Sequence, residues 1–168
     1  MPLSTRPPTL LENPPIPVQA RLAAAWASFM VLYVYVDYFH LYKPGTLDGL
    51  RDGVVFTFRI SPGLLTVFLA LIAIPAMMVM LSMSLPARAN RATNLVVASL
   101  YLPITVFNAV GETWEWAAFY GLSIGLEVLL LAVILRSAWR WPRTSAAVGS
   151  ASDGSRGPVR PAGTAVHR

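Results

Sequence analysis

The sequence predicts an all-α, polytopic membrane protein: a bundle of four transmembrane helices with both termini in the cytoplasm. Three observations predict it. Apolar types make up 55% of the 168 residues and charged types 12%, against about 25% charged in an average soluble domain. The charges leave four long gaps. The Lys and Arg residues fall mostly to one side of those gaps. A chain so poor in charge is neither disordered nor an ordinary soluble domain. With no cysteine, disulfides, thiolate metal sites and cysteine nucleophiles are excluded.

Residues 1–20 read as a Pro-rich cytoplasmic segment, with six prolines in the first 17 positions. They lack the charged-then-apolar order of a cleavable signal, so the first crossing is expected to act as an uncleaved insertion signal. Residues 21–141 read as the transmembrane domain. Its gaps hold 21 residues with one charge (22–42), 28 with none (60–87), 20 with none (92–111) and 20 with one (116–135). About 20 helical residues cross a ~30 Å hydrocarbon core, and lipid demands a backbone that satisfies itself. The crossings are placed at 22–42, 62–84, 93–111 and 114–138. Continuous apolar runs such as LLTVFLALIAIPAMMVML exclude a β-barrel, whose strands alternate. Residues 142–168, with 18 of 27 drawn from Pro, Gly, Ser, Ala and Thr and four arginines, read as a disordered basic tail.

Four crossings put both termini and the 85–92 turn on one side. That side holds ten of the thirteen Lys and Arg residues, the other only Lys43, Arg51 and Arg59, so the first is cytoplasmic. The expected location is the bacterial inner membrane. Tyr38, Phe39, Tyr42, Trp114 and Trp116 would mark the outer interface, and Trp26, Trp139 and Trp141 the inner one. Arg88 and Arg91 read as topology and lipid-headgroup anchors. The outer loop 43–59 carries Leu47, Leu50, Val54, Val55 and Phe58 at helical spacing, which predicts a short amphipathic helix on the membrane or over the bundle. Pro75 and Pro103 should kink their helices and free backbone carbonyls.

Two stretches carry a resemblance: DYFHLYKPGTLDGL (37–50), and ISPGLL followed by IPAMMVMLSMSLPARANRATN (60–94). Over about 20–140 the chain resembles a family of small bacterial four-helix membrane proteins that has only a domain-of-unknown-function label. The LPARANR turn is its most specific part. The resemblance implies fold and membrane location and no activity. A looser likeness is to the DoxX-like membrane proteins, which implies four helices and, as one alternative, a redox or biosynthetic subunit.

Ionisable groups inside a crossing are costly and default to functional candidates. Glu127 lies ~18–20 Å from either end of the last crossing. Hydrocarbon disfavours its charged form, so it is expected to be protonated at neutral pH unless water or a cation reaches it. Glu112, Trp116, Tyr120, Ser123 and Glu127 step by 4, 4, 3 and 4. Asn94, Ala98, Tyr101, Thr105 and Asn108 form a second stripe, and Tyr33, Asp37 and His40 a third. Lipid cannot satisfy such faces, so they should turn towards one another. The functional reading is an outward-facing polar pocket narrowing to Glu127, with Asp37 paired to His40. The plainer one has Glu127 hydrogen-bonded to a neighbouring helix and Asp37, His40 and Glu112 at the interface. Ala117, Gly121 and Gly125 form a small-residue ridge suited to close packing in the bundle or a homodimer.

The methionines at 77, 78, 80 and 83 read as flexible packing rather than a copper path. No phosphate loop, nucleophile elbow or zincin motif occurs, so no catalytic residue, metal or cofactor is expected. Basic residues at membrane edges speak against nucleic-acid binding. The expected function is a small-molecule or ion binding or transport module. The alternatives are a structural or partner-docking membrane protein and the DoxX-like role.

Overall fold

The computed structural model describes residues 14–108 and 110–142. The expectations for residues 1–13, and for the tail beyond Pro142, fall outside the described residues. Helix α1 (Val18–His40) begins after Pro17, which carries φ −53° and ψ 143°. Gly45, at φ 83°, then turns the chain into α2 (Thr46–Arg51). Strands β1 (Val54–Val55) and β2 (Phe58–Arg59) pair antiparallel, Val54 opposite Arg59 and Val55 opposite Phe58. Only part of the outer loop is therefore helical. Gly53, at φ 75°, ends the helix, and two β-branched valines follow, which favour a strand.

Helix α3 (Pro62–Ser84) opens with Ser61, whose hydroxyl accepts the Leu64 N–H at 3.2 Å, and with proline in its first turn. This is a standard start, since the first N–H groups have no helical partner. Helix α4 (Ala87–Phe107) follows Pro86 after a turn of two residues. It starts six residues before the expected crossing because nothing between Pro86 and Pro103 breaks a helix. A 3₁₀ turn (Trp114–Trp116) leads into α5 (Ala117–Trp139).

Helix α1 packs against α3 and α5, α5 against α4, and α4 less closely against α3. The four long helices thus form a ring, with short connections making sequence neighbours antiparallel. One end carries the tight α3–α4 turn and is called here the turn end. The other carries the 41–61 connection and the α4–α5 link and is called the loop end. The core lies towards the turn end: Leu22, Ala25, Trp26 and Phe29 of α1, Met78 of α3, Ala98 and Tyr101 of α4, and Leu131, Ile134 and Ala138 of α5. Tyr101 stands edge-on to Trp26 and Phe29, with ring centres 6.3 and 5.9 Å apart.

The outside of the ring is apolar. Val31, Leu65, Leu69, Val96, Leu122 and Leu129 are all more than half exposed, and so large an apolar surface suits lipid or a partner rather than water. Helices α1, α3 and α5, the last with its preceding turn, are long and apolar enough to cross a membrane. By the same measure α4 falls short, since its first two turns carry Arg88, Asn90, Arg91 and Asn94. Met77, Met80 and Met83 face outward while Met78 is buried, so the methionines share no lining.

Pro75 is buried within α3 and removes the N–H that would bond the Leu71 carbonyl. The Tyr101 hydroxyl of α4 donates to that carbonyl instead. The carbonyl freed by Pro75 is therefore closed by a neighbouring helix and does not open onto a cavity.

Candidate functional site

The spacing of polar residues along α4 and α5 translates directly into burial. Asn94, Ala98, Tyr101 and Thr105 are buried on α4, and Tyr120, Ser123 and Glu127 on α5. They separate into three levels along the bundle.

At the turn end the polar groups are hydrogen-bonded to one another. The Trp26 indole N–H donates to Asn94 Oδ1 at 2.7 Å. Asn94 Nδ2 donates to Asn90 Oδ1 at 2.7 Å, and Asn90 Nδ2 to the Ser82 carbonyl at 2.6 Å. Sequence reasoning placed Trp26 at the interface and missed Asn90 and Ser82. Spacing signals two of the three: Trp26 continues the 3–4 spacing of Leu22, Ala25 and Phe29, and Asn90 extends the α4 stripe by one step of four.

At the middle level Glu127 is 2% exposed and Thr105 fully buried. The Thr105 hydroxyl faces the Glu127 carboxyl from α4. Yet neither Thr105 Oγ1 nor Glu127 Oε2 has a hydrogen-bond partner among the described residues. A buried polar atom without a partner is costly; two of the three such side-chain atoms among the described residues are this pair, and the third is Arg91 Nε at the turn end. Asn108 donates to the Tyr33 hydroxyl at a long 3.4 Å. Asp37 and Asn108 are exposed.

The loop end holds a cavity of about 340 Å³ lined by Phe39, His40, Lys43, Trp116, Phe119 and Tyr120. His40 Nδ1 and the Tyr120 hydroxyl are 2.7 Å apart. His40 has thus taken a partner on α5 rather than Asp37 on its own helix. Lys43 and Glu112 form an ion pair between the end of α1 and the α4–α5 link. Burial works against ionisation of Glu112, but the Lys43 hydrogen bond and charge outweigh it and hold this carboxyl below its ordinary 4.5. Lys43 Nζ also lies 5.5 Å from the centre of the Trp116 ring, within cation–π range. Glu127 and Asp37 do not line this cavity. Its floor at Tyr120 is seven residues from Glu127, or ~10 Å along the helix.

Ala117, Gly121 and Gly125 lie on the outside of α5, and a Cβ at either glycine would meet nothing within 4 Å. The ridge is therefore unused in packing within the bundle. Arg88 is exposed, whereas the Arg91 guanidinium sits 5.9 Å from the Trp139 ring centre. Among the described residues no three His, Cys, Asp or Glu side chains group as metal ligands.

Fold and site together define an all-helical protein with helices apolar enough for a membrane, a polar interior and a cavity at one end. The chain belongs to a family of unknown function, DUF6326, whose model matches residues 17–142. No curated protein and no solved structure matches it.

Proposed function

We propose that this protein is a four-crossing inner-membrane module with both termini cytoplasmic. In this reading it binds a small molecule or ion at its outward loop end and carries a proton on Glu127. Helix α4 serves as the fourth crossing: its asparagines, Tyr101 and Thr105 turn inward, leaving Val96, Leu100, Val106 and Phe107 exposed. The uneven division of Lys and Arg supports the orientation. The observation that carries the functional reading is Glu127 itself, buried opposite Thr105 with one carboxyl oxygen unpartnered. A buried carboxyl that serves packing alone has at least one settled partner, and the Thr105 hydroxyl is the neighbour on α4 placed to supply it.

Infrared spectroscopy of the protein in lipid tests this reading. The protonated-carboxyl band is expected to change with pH on the loop-end side. It should vanish in Glu127→Gln and persist in Asp37→Asn. A Glu127 band unmoved at every pH at which the fold survives would overturn it. That result would favour the second reading, a structural or docking protein, which the hydrogen-bonded packing around Asn94 supports. The open Gly121–Gly125 face suits a second copy of the chain, and Gly121→Ile would then leave a monomer in detergent.

A further inference from the structure

The loop-end cavity has a chemical character of its own. Five of its six lining side chains are aromatic rings: Phe39, His40, Trp116, Phe119 and Tyr120. Several meet edge to face or tilted, Phe119 and Tyr120 at 5.1 Å and His40 and Tyr120 at 6.4 Å between centres. Such walls favour a flat ring with a complementary quadrupole over a branched aliphatic of equal volume. At about 340 Å³ the space is at the small end of ligand pockets, which run roughly 300–1,000 Å³.

The polar groups in the walls fix charge and orientation. Lys43 and Glu112 already neutralise each other. A charged ligand would have to break that pair or remain unpaired in a half-enclosed site, and both are costly. Lys43 has three N–H donors, of which Glu112 holds one. A ligand acceptor can take one of the remaining Lys43 donors without breaking the ion pair.

A third feature comes from the hairpin. Phe56 has φ 54°, the one non-glycine at positive φ among the described residues. It is the first central residue of the two-residue turn between Val55 and Phe58, a position that favours glycine. A bulky side chain there is strained. The Phe56 ring nevertheless packs on His40, a wall of the cavity, with centres 5.3 Å apart.

We propose that this cavity binds a neutral, planar aromatic molecule of one or two rings bearing a hydrogen-bond acceptor, held between α1 and α5 with Phe56 covering its His40 side. The inference rests on the loop-end binding site proposed above and adds the class of ligand. Such a molecule partitions into the bilayer and reaches the cavity from the interface.

Binding of 2-acetylnaphthalene to the full chain in nanodiscs, measured by calorimetry against empty nanodiscs, tests it. The wild type is expected to saturate at one site per chain. The fully saturated decalin ketone and the naphthylmethylammonium cation should each bind at least tenfold more weakly. Trp116→Leu should weaken the aromatic ketone about tenfold. Phe56→Gly relieves the strained turn, so it keeps the fold, and should weaken binding severalfold while speeding release. Equal binding of the decalin ketone, or wild-type affinity in both variants, would overturn the proposal. Failure here with a pH-responsive Glu127 band removes only the ligand class. Saturable binding with an inert Glu127 removes the proton-carrying role and leaves the cavity's ligand standing.

Discussion

The two ends of the bundle contain similar side chains in opposite conditions. At the turn end Trp26, Asn94, Asn90 and Ser82 are buried and linked donor to acceptor. At the loop end Tyr120, His40, Lys43 and Trp116 line open space, and deeper in the bundle Thr105 and Glu127 each keep a buried oxygen unpartnered. The first arrangement holds helices together, because a completed network in a low-dielectric interior resists rearrangement. The second pairs His40 with Tyr120 and Lys43 with Glu112 beside a cavity and leaves two buried oxygens below it unpartnered.

The sharpest way to break this contrast is at the turn end. Trp26→Ala opens a cavity in the core and removes the 2.7 Å donor to Asn94 Oδ1, leaving only the Ser82 hydroxyl at 3.4 Å. It should cost about 3–5 kcal/mol, read as a lower denaturant midpoint in lipid bicelles. Removing a ring of equal size at the loop end, Trp116→Leu, should cost far less. Next in size is Tyr101→Phe, which keeps the ring and deletes the hydroxyl bonded to the Leu71 carbonyl. A loss of about 1–2 kcal/mol is expected, together with faster amide exchange around Pro75.

The smallest effect belongs to the clasp between Lys43 and Glu112. Lys43→Met should cost about 0.2–1 kcal/mol. Because Glu112 sits below its ordinary 4.5 in the folded protein, its contribution is present above that value and fades as pH falls through the lowered one. The variant should therefore lose this acid dependence, visible as a flatter plot of midpoint against pH. A variant as acid-sensitive as the wild type would show that the Lys43–Glu112 pair is not the source of this acid dependence.

Much of the interior was readable from spacing. The steps of three and four from Asn94 to Thr105 and from Tyr120 to Glu127 correspond to buried faces, because lipid leaves such residues only one direction to turn. Partner choice was not readable, since periodicity reports which face a residue occupies and nothing about what stands opposite. His40 has the spacing to meet Asp37, yet it reaches Tyr120 across the gap to α5. The 54–59 hairpin was hidden for a different reason: five apolar positions fit a helical period, and only Gly53 marks the break. The Gly121–Gly125 ridge kept its two readings open because small residues suit any close neighbour, inside the bundle or outside it.

The tyrosine that mends α3 from α4 also bears on how the chain is made. Helix α3 leaves the ribosome first, with a bare peptide oxygen at Leu71 that hydrocarbon cannot solvate. Only when residue 101 has been synthesised does its cover arrive. In the four-crossing reading proposed above, the two helices suit entry as a hairpin, the strongly apolar one carrying its polar successor while the successor completes its backbone.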